Sequence, residues 1–322
     1  MDLPNGYELL APTWDDLEPA AEVLAADDLN DAGQVVLDTG YLRGQWERFG
    51  FELTTDAWVA VDAAGTVVGY GQVTRDETDV AASWGVVHPA HHGRGIGSAL
   101  LGRIEARAME LMAGVHGARF RHAVNAGDEA AAAMLRSRGL RLVRHFWHMG
   151  IELSPDFVTG PTPSGIAITE LRSEDDVREV HAVLDEAFAD HWGHEPEPFE
   201  HWAEDWTQGS DYDPSLWRLA REDRRLVGAL TAVVRGDQGW VTLLGIRREA
   251  RGRGIGGALL HRAFEAFAAR RVCSVVLVVD AANSTGATAL YERVGMRVVK
   301  RFDLWERALD PSAVTATSTP VP

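Results

Sequence analysis

The stretch 244–266 reads LGIRREARGRGIGGALLHRAFEA. An apolar run that stops at a glycine-rich turn and resumes at helical spacing describes a strand passing through a tight loop into a helix. In the turn, Arg251-Gly252-Arg253-Gly254-Ile255-Gly256 brings unpaired backbone N–H groups and the positive end of a helix dipole to one spot, which suits a diphosphate. The glycines let the backbone approach phosphate oxygens with no Cβ in the way, and the two arginines add charge. A dinucleotide fold would place GxGxxG after the first strand of a βαβ unit, whereas these glycines follow the fourth strand of their half; no GxxxxGK[ST] loop occurs either.

The turn is repeated. GVVHPAHHGRGIGSALLGRIEA at 85–106 carries the same GRGIG, with Gly93 and Gly252 standing 159 residues apart. MLRSRGLRLVRHFWHM at 134–149 answers LYERVGMRVVKRFDLW at 290–305, with Gly139 and Gly295 156 apart. A period of that length is a duplicated domain, far beyond the roughly 20–50 residues of a solenoid unit. Proline and glycine interrupt the pattern at 154–165. The expected organisation is a domain over 1–153, a linker over 154–165, a second domain over 166–310 and a disordered tail over 311–322.

Each half shows the same coarse order. In the second, IAITEL reads as a strand and SEDDVREVHAVLDEAF as a helix opened by Ser173, followed by a further helical stretch, PFEHWAEDWTQG. LWRLAR and RLVGALTAVV are strands joined at Glu222-Asp223, and WVTLLGI is the next. After the glycine-rich turn and its helix come the strand CSVVLVV, the helix TGATALYERVG ended by Gly295, and a last strand, MRVVKRFDLWE. This pattern predicts an α/β chain of two tandem domains, each an α+β mixed sheet, mostly antiparallel and flanked by helices.

The composition narrows the function. Of 322 residues, 46% are hydrophobic and 25% charged, so the chain can bury real cores. A formal charge of −17, from 48 acids against 31 bases, repels nucleic acid and anionic membranes and attracts cationic amines. No apolar run approaches the ~20 residues of a bilayer span and no secretory signal opens the chain, which predicts a cytoplasmic protein, monomer or homodimer. The single cysteine, Cys273, reads as a buried structural thiol at the start of a strand. His191, His194 and His201 fall across a proline-containing break, so no metal is expected.

The turn at 251–256 matches [QR]-x-x-G-x-[GA], and the later run from Asn283 through 289–296, Ala-Leu-Tyr-Glu-Arg-Val-Gly-Met, follows it in order. In both respects the chain resembles the GNAT superfamily of N-acetyltransferases. The resemblance implies that Ile246, Arg251, Gly252, Arg253, Gly254, Ile255, Gly256 and Gly257 hold the pyrophosphate arm of acetyl-CoA, that Asn283 contacts its pantetheine, and that Tyr291 is the general acid beside the thioester sulfur. In the first half Val87, Gly93, Arg94, Gly95 and Gly97 are the matching cofactor residues. There His92 replaces the signature's Gln or Arg and Leu135 falls opposite Tyr291, so the first domain is expected to lack catalysis.

A tandem GNAT chain with an intact second half is similar to the mycothiol synthase group, and DEAFADHWG at 185–193 and DYDPSLWRLA at 211–220 resemble its segments. Where that group carries a fourth-strand glutamate as general base, this chain has Trp240, with Trp84 read as its counterpart in the first half. His191 and His194, in the connection after the first helix of the second domain, are then the expected bases, with Asp190 beside them. Trp192, Trp202, Trp206, Tyr212 and Trp217 either wall an acceptor pocket or pack the core. The expected activity is acetyl transfer from acetyl-CoA to a primary amine of a small molecule: a mycothiol precursor, an aminoglycoside-like compound or another natural-product amine. A protein amine as acceptor and a non-catalytic acyl-CoA-binding regulator are the alternatives.

Overall fold

The computed structural model describes residues 3, 5–48, 50–154, 156–208, 211–283 and 286–309; the expected tail at 311–322 lies outside them. Its elements in chain order are β1 (Tyr7–Leu10), α1 (Leu17–Ala32), α2 (Thr39–Trp46), α3 (Leu53–Asp56), β2 (Ala57–Asp62), β3 (Val67–Glu77), β4 (Val80–Val87), α4 (Ile96–Leu111), β5 (Arg119–Asn125), α5 (Glu129–Ser137) and β6 (Arg141–Glu152). There follow β7 (Ile166–Thr169), α6 (Glu174–Phe188), α7 (Phe199–Thr207), β8 (Arg218–Glu222), β9 (Arg225–Arg235), β10 (Gln238–Ile246), α8 (Ile255–Ala269), β11 (Ser274–Asp280), α9 (Ala287–Arg293) and β12 (Arg297–Ala308).

Two compact units divide this chain, and they are not the two repeat halves. Among the described residues, the first takes in those up to Trp46, Gly50–Phe146 and Lys300–Leu309; the second takes in 47–48 and those of Trp147–Val299. The strand order is β1-β2-β3-β4-β5-β12 in the first unit and β6-β11-β10-β9-β8-β7 in the second. The pairs β1–β2, β2–β3, β3–β4, β5–β12, β7–β8, β8–β9 and β9–β10 are antiparallel, and β4–β5 and β10–β11 are parallel. The last strand of the second repeat therefore completes the sheet of the first unit, with Phe302–Ala308 laid antiparallel along β5.

Local chemistry accounts for the elements of the second unit. Ser173 caps α6: its hydroxyl accepts from Asp176 N at 3.2 Å, and the Asp176 carboxylate accepts from Ser173 N at 3.1 Å, closing a capping box. Val177, Val180, Val183, Leu184 and Ala187 then recur at helical spacing and are buried. β9 is apolar without alternation because both its faces are covered. The hairpin from β8 to β9 turns at Asp223 and Arg224, both at positive φ, one residue beyond the turn expected from sequence. The segment expected as a linker is pinned to α8: Gly160 N donates to His261 Nδ1 at 3.0 Å, and Phe157 packs edge-on against Phe264 at 5.8 Å. Cys273 is only half-buried and precedes β11, which corrects its reading as a core thiol: Val275, Leu277 and Val279 turn into the core instead.

In the first unit, the chain's one lysine has a structural role. Lys300, nearly buried at the start of β12, forms an ion pair with Asp28 of α1, whose other oxygen accepts from Val36 N at 2.8 Å and Leu37 N at 2.7 Å. Lys300→Met leaves that buried carboxylate without its counter-charge, an effect of about 3–5 kcal/mol. The expected result is a first melting transition at markedly lower temperature or urea concentration than wild type, read by circular dichroism.

Candidate active site

The site is built where β10 and β11 separate. Val87 pairs with Gly69 and Ile246 with Gly228, so the two repeats can be aligned strand on strand at those residues. In the first unit the parallel pairing of β4 with β5 continues to Trp84 and Ala123, three residues before Val87. In the second unit β10 and β11 pair only as far as Trp240 and Val276, six residues before Ile246. The second pair of strands therefore parts three residues earlier. The register also corrects the equivalence of Trp84 with Trp240: Trp84 pairs with Gln72, and its counterpart is Leu243 opposite Thr231.

A bulge causes the early parting. The register of β10 on β9 slips between Val241 and Leu243, making Thr242 the extra residue. Thr231, fully buried, stabilises the kink: its hydroxyl accepts from Leu243 N at 3.1 Å and bonds the Thr242 hydroxyl at 2.7 Å. The register of β4 on β3 slips only at its far end, between Arg75 and Glu77, and runs unbroken from Ala81 to Val87, where β4 is locked to β5 instead. The Ser83 hydroxyl donates to Arg121 O at 2.8 Å and so receives the Nδ1–H of His122, also at 2.8 Å. Burial drives the His122 imidazole down to about 4, keeping it neutral. By strand register, with Gly239 paired to Val275 as Ala81 is paired to Phe120, its counterpart is Leu277, which is buried in the core of the second unit, while the neighbouring Val278 on the other face is 43% exposed.

The loop before α8 has the predicted form. Gly252 and Gly254 lie at φ +74° and +79°, and Gly254 is the N-cap of α8, a left-handed position that glycine adopts without strain. Gly256 lies close to α9, where a Cβ would stand 2.9 Å from the tip of the Leu290 side chain and displace it. Ile255 is buried under the loop, and Ile246 packs at the edge of the same core. Gly257 has Leu290 and Val294 in ordinary contact range. The first turn of a helix leaves its N–H groups without carbonyls of their own, so a loop of this shape can receive a phosphate.

The two arginines differ. Arg251 staples α6 to the end of β10, donating from Nε to Ile246 O and from Nη2 to Ala187 O, both at 3.1 Å. Arg253 forms a bidentate pair with Glu222 at 3.0 and 2.5 Å on the exposed side of the loop. In the first unit His92 reproduces one bond of that staple, its Nε2 meeting Val87 O at 2.8 Å. Arg94 there donates to the Tyr7 hydroxyl at 2.7 Å and Ala90 O at 3.2 Å, while Gly93 and Gly95 keep positive φ and Gly97 sits against Val87.

The remaining residues lie on opposite faces of the second unit's sheet. Val275, Leu277 and Val279 of β11 join the core under α8, together with Tyr291 of α9. By strand alternation Val276, Val278 and Asp280 look to the other face, that of α6, where a Cβ on Gly245 would meet Ala187 and Leu184 at 2.9 Å. His191 follows α6 there, half-buried, its ring edge-on to Phe188 at 4.5 Å. Burial, then the charges of Arg251 and His194, hold its imidazole below the ordinary histidine range against the opposing pull of Asp280 and Asp190. His194 is turned instead to Asp185, its Nε2 3.0 Å from the carboxylate, and Asp190 forms an ion pair with Arg248. Trp240 is buried, with the Arg235 guanidinium 5.7 Å from its ring centre and His148 edge-on at 6.0 Å.

Burial pushes the Tyr291 hydroxyl up to about 12, so it carries its proton at neutral pH. Leu135, its counterpart, is wholly buried hydrocarbon. Asn283 closes the turn after β11, its N–H donating to Asp280 O at 3.0 Å. Trp202 and Trp217 are core, and Trp206 and Tyr212 pack against them. Asp280 was not legible as a site residue; its only signal is an acid ending an apolar strand run. Among the described residues no helix is long and apolar enough to cross a membrane, and no group of three or more His, Cys, Asp or Glu is placed to hold a metal ion.

Similarity to known proteins agrees with this architecture. The Acetyltransferase (GNAT) family matches residues 177–296, and an acetyltransferase (GNAT) domain matches 54–139. Mycothiol acetyltransferase of Beutenbergia cavernae is 34% identical over 75% of this chain and 80% of its own length, and that of Streptomyces avermitilis is 32% identical over 73% and 74%. Among solved structures, a GCN5-related N-acetyltransferase from Sphaerobacter thermophilus superposes with a TM-score of 0.81 at 31% identity, covering 95% of this chain and 97% of its own. A tandem GNAT protein from the clavulanic acid biosynthesis pathway shares the fold at a TM-score of 0.67 and 17% identity, covering 94% and 98%. With two glycine-rich loops at helix starts, two sheets of the same strand order and relatives matched over most of their length, the chain belongs to the GNAT family of acetyltransferases and carries two of its domains in tandem.

Proposed function

We propose that the second unit transfers an acetyl group from acetyl-CoA to the primary amine of a small molecule, and that the first unit is a non-catalytic partner domain. The observation that carries this reading is the early parting of β10 and β11, with a protonated tyrosine on one side of the sheet and a neutral histidine on the other. Acetyl-CoA supplies an activated acyl carbon; the amine nitrogen forms the C–N bond as the C–S bond breaks. His191 takes one proton from the incoming ammonium, which makes the nitrogen nucleophilic. Tyr291 donates its proton to the departing thiolate, and the second nitrogen proton restores the tyrosine, so that the amide, the thiol and one released proton balance the reaction. In the first unit the strands stay paired, Leu135 can donate nothing and His122 is buried.

Relatives named mycothiol acetyltransferase favour a mycothiol-precursor-like amine as acceptor; the expected aminoglycoside-like and other natural-product amines belong to the same chemical class. The net charge of −17 suits a cationic acceptor. Gly254→Val tests the cofactor side. A β-branched residue cannot adopt φ +79° without strain, and the loop would have to change shape. Calorimetry is expected to show at least tenfold weaker CoA binding, about 1.4 kcal/mol, while Gly95→Val in the first unit leaves the second-unit affinity unchanged. Equal CoA affinity in Gly254→Val and wild type would refute the loop as the cofactor site.

A further inference from the structure

Among the residues on the α6 face of the opening, one charged group has no part in the reaction described so far. Asp280 ends β11, four residues beyond the last pair with β10, on the same face as the exposed Val278. Its position is fixed by the turn it begins: Oδ1 accepts from Ala282 N at 2.8 Å and its carbonyl accepts from Asn283 N at 3.0 Å. By strand register its counterpart in the first unit is Asn125, whose Nδ2 donates to Asp27 Oδ2 at 2.8 Å, so a carboxylate stands at this place only in the unit whose strands have opened. Its charge acts on the His191 imidazole, together with those of Arg251, His194 and Asp190.

We infer that Asp280 is the specificity-determining residue for the acceptor: its carboxylate binds the ammonium of a primary amine at the mouth of the β10–β11 opening and presents it to His191. The inference rests on the function proposed above. An ammonium arriving between an aspartate and a neutral imidazole meets one group that holds its charge and another that removes its proton. When His191 has accepted that proton, Asp280 becomes the counter-charge of the imidazolium. No proton passes to the carboxylate itself. Trp240 and His148 supply a wall of buried rings on the same face, and neutral acceptors have nothing to pair with Asp280.

Asp280→Asn separates charge from structure, because the amide oxygen can still accept from Ala282 N and preserve the turn. Acetyl transfer to thiol-free amines (glucosamine, S-methylcysteine and kanamycin) is followed by release of CoA thiol, and the His191 ring is titrated by NMR in the protein without substrates. The variant is expected to raise KM for the amine tenfold or more, leave KM for acetyl-CoA within twofold, and move the His191 titration and the acid limb of kcat/KM to lower pH, since a group that favours the imidazolium has been removed. Asp280→Glu is expected to recover part of the amine KM. An unmoved His191 titration together with an unchanged amine KM would overturn the role of Asp280 while leaving the proposed function standing. Wild-type protein that transfers acetyl to none of these amines would overturn both.

Discussion

Tyr291→Phe is expected to lower kcat by about 10²-fold or more, the range in which a positioned general acid contributes, with CoA affinity and melting temperature close to wild type. The substitution removes one oxygen from a side chain that is 8% exposed and packed among Leu259, Phe264 and Met296, so the ring continues to fill its place. The hydroxyl is held in its acid form by burial alone, and no cationic neighbour lowers it. In wild type, therefore, the alkaline fall of activity caused by loss of this proton should lie well above pH 10. Pre-steady-state measurement of CoA thiol release separates the chemical step from product release. A kcat within threefold of wild type would show that the thiolate leaves without help from Tyr291.

The second large effect concerns His191. Its imidazole is held below the ordinary value of about 6.5, so it remains neutral and basic throughout the physiological range. The limb it gives to kcat/KM runs in one direction: activity is full above its pKa and falls as pH drops through that value and the ring protonates. His191→Ala should remove this limb and lower turnover about 10²-fold. What remains is a rate that climbs with pH as the free amine, with a pKa near ~10, becomes neutral in solution. His194→Ala should do much less, because that ring is bonded to Asp185 and acts on His191 only through its charge. If both single variants and the double variant keep the wild-type profile, the amine loses its proton directly to water.

The staple formed by Arg251 shows how tertiary structure assigned a motif residue a task other than the expected one. The sequence places an arginine at the head of a phosphate-binding turn, yet its guanidinium joins two backbone carbonyls, one at the end of β10 and one near the end of α6. That contact holds the end of α6, which His191 follows, to the end of β10. The first unit has His92 at this position, which reaches only the strand carbonyl. A single substitution in the signature thus bears on where the helix end lies as well as on the charge at the phosphate.

Sequence alone determined the duplication, the glycine-rich turn at each helix start and the absence of a general acid at Leu135. Each of these depends on residue identity at a fixed spacing: glycine where φ is positive, apolar residues every three or four positions, a tyrosine or none. Tertiary structure decided how the strands pair. The last strand of the second repeat completes the sheet of the first unit, and a bulge at Thr242 opens one parallel pair three residues before the other. Backbone pairing uses the same N–H and C=O groups in every residue, so nothing in the apolar run WVTLLGI marks the register slip. The correspondence of Trp84 with Trp240 failed against the 159-residue offset of the repeat, which places Trp84 opposite Leu243. Asp280 and His191, 89 residues apart in the chain, come to the same face of the second unit through the alternation of β11 and the Arg251 bonds that hold the end of α6 to β10.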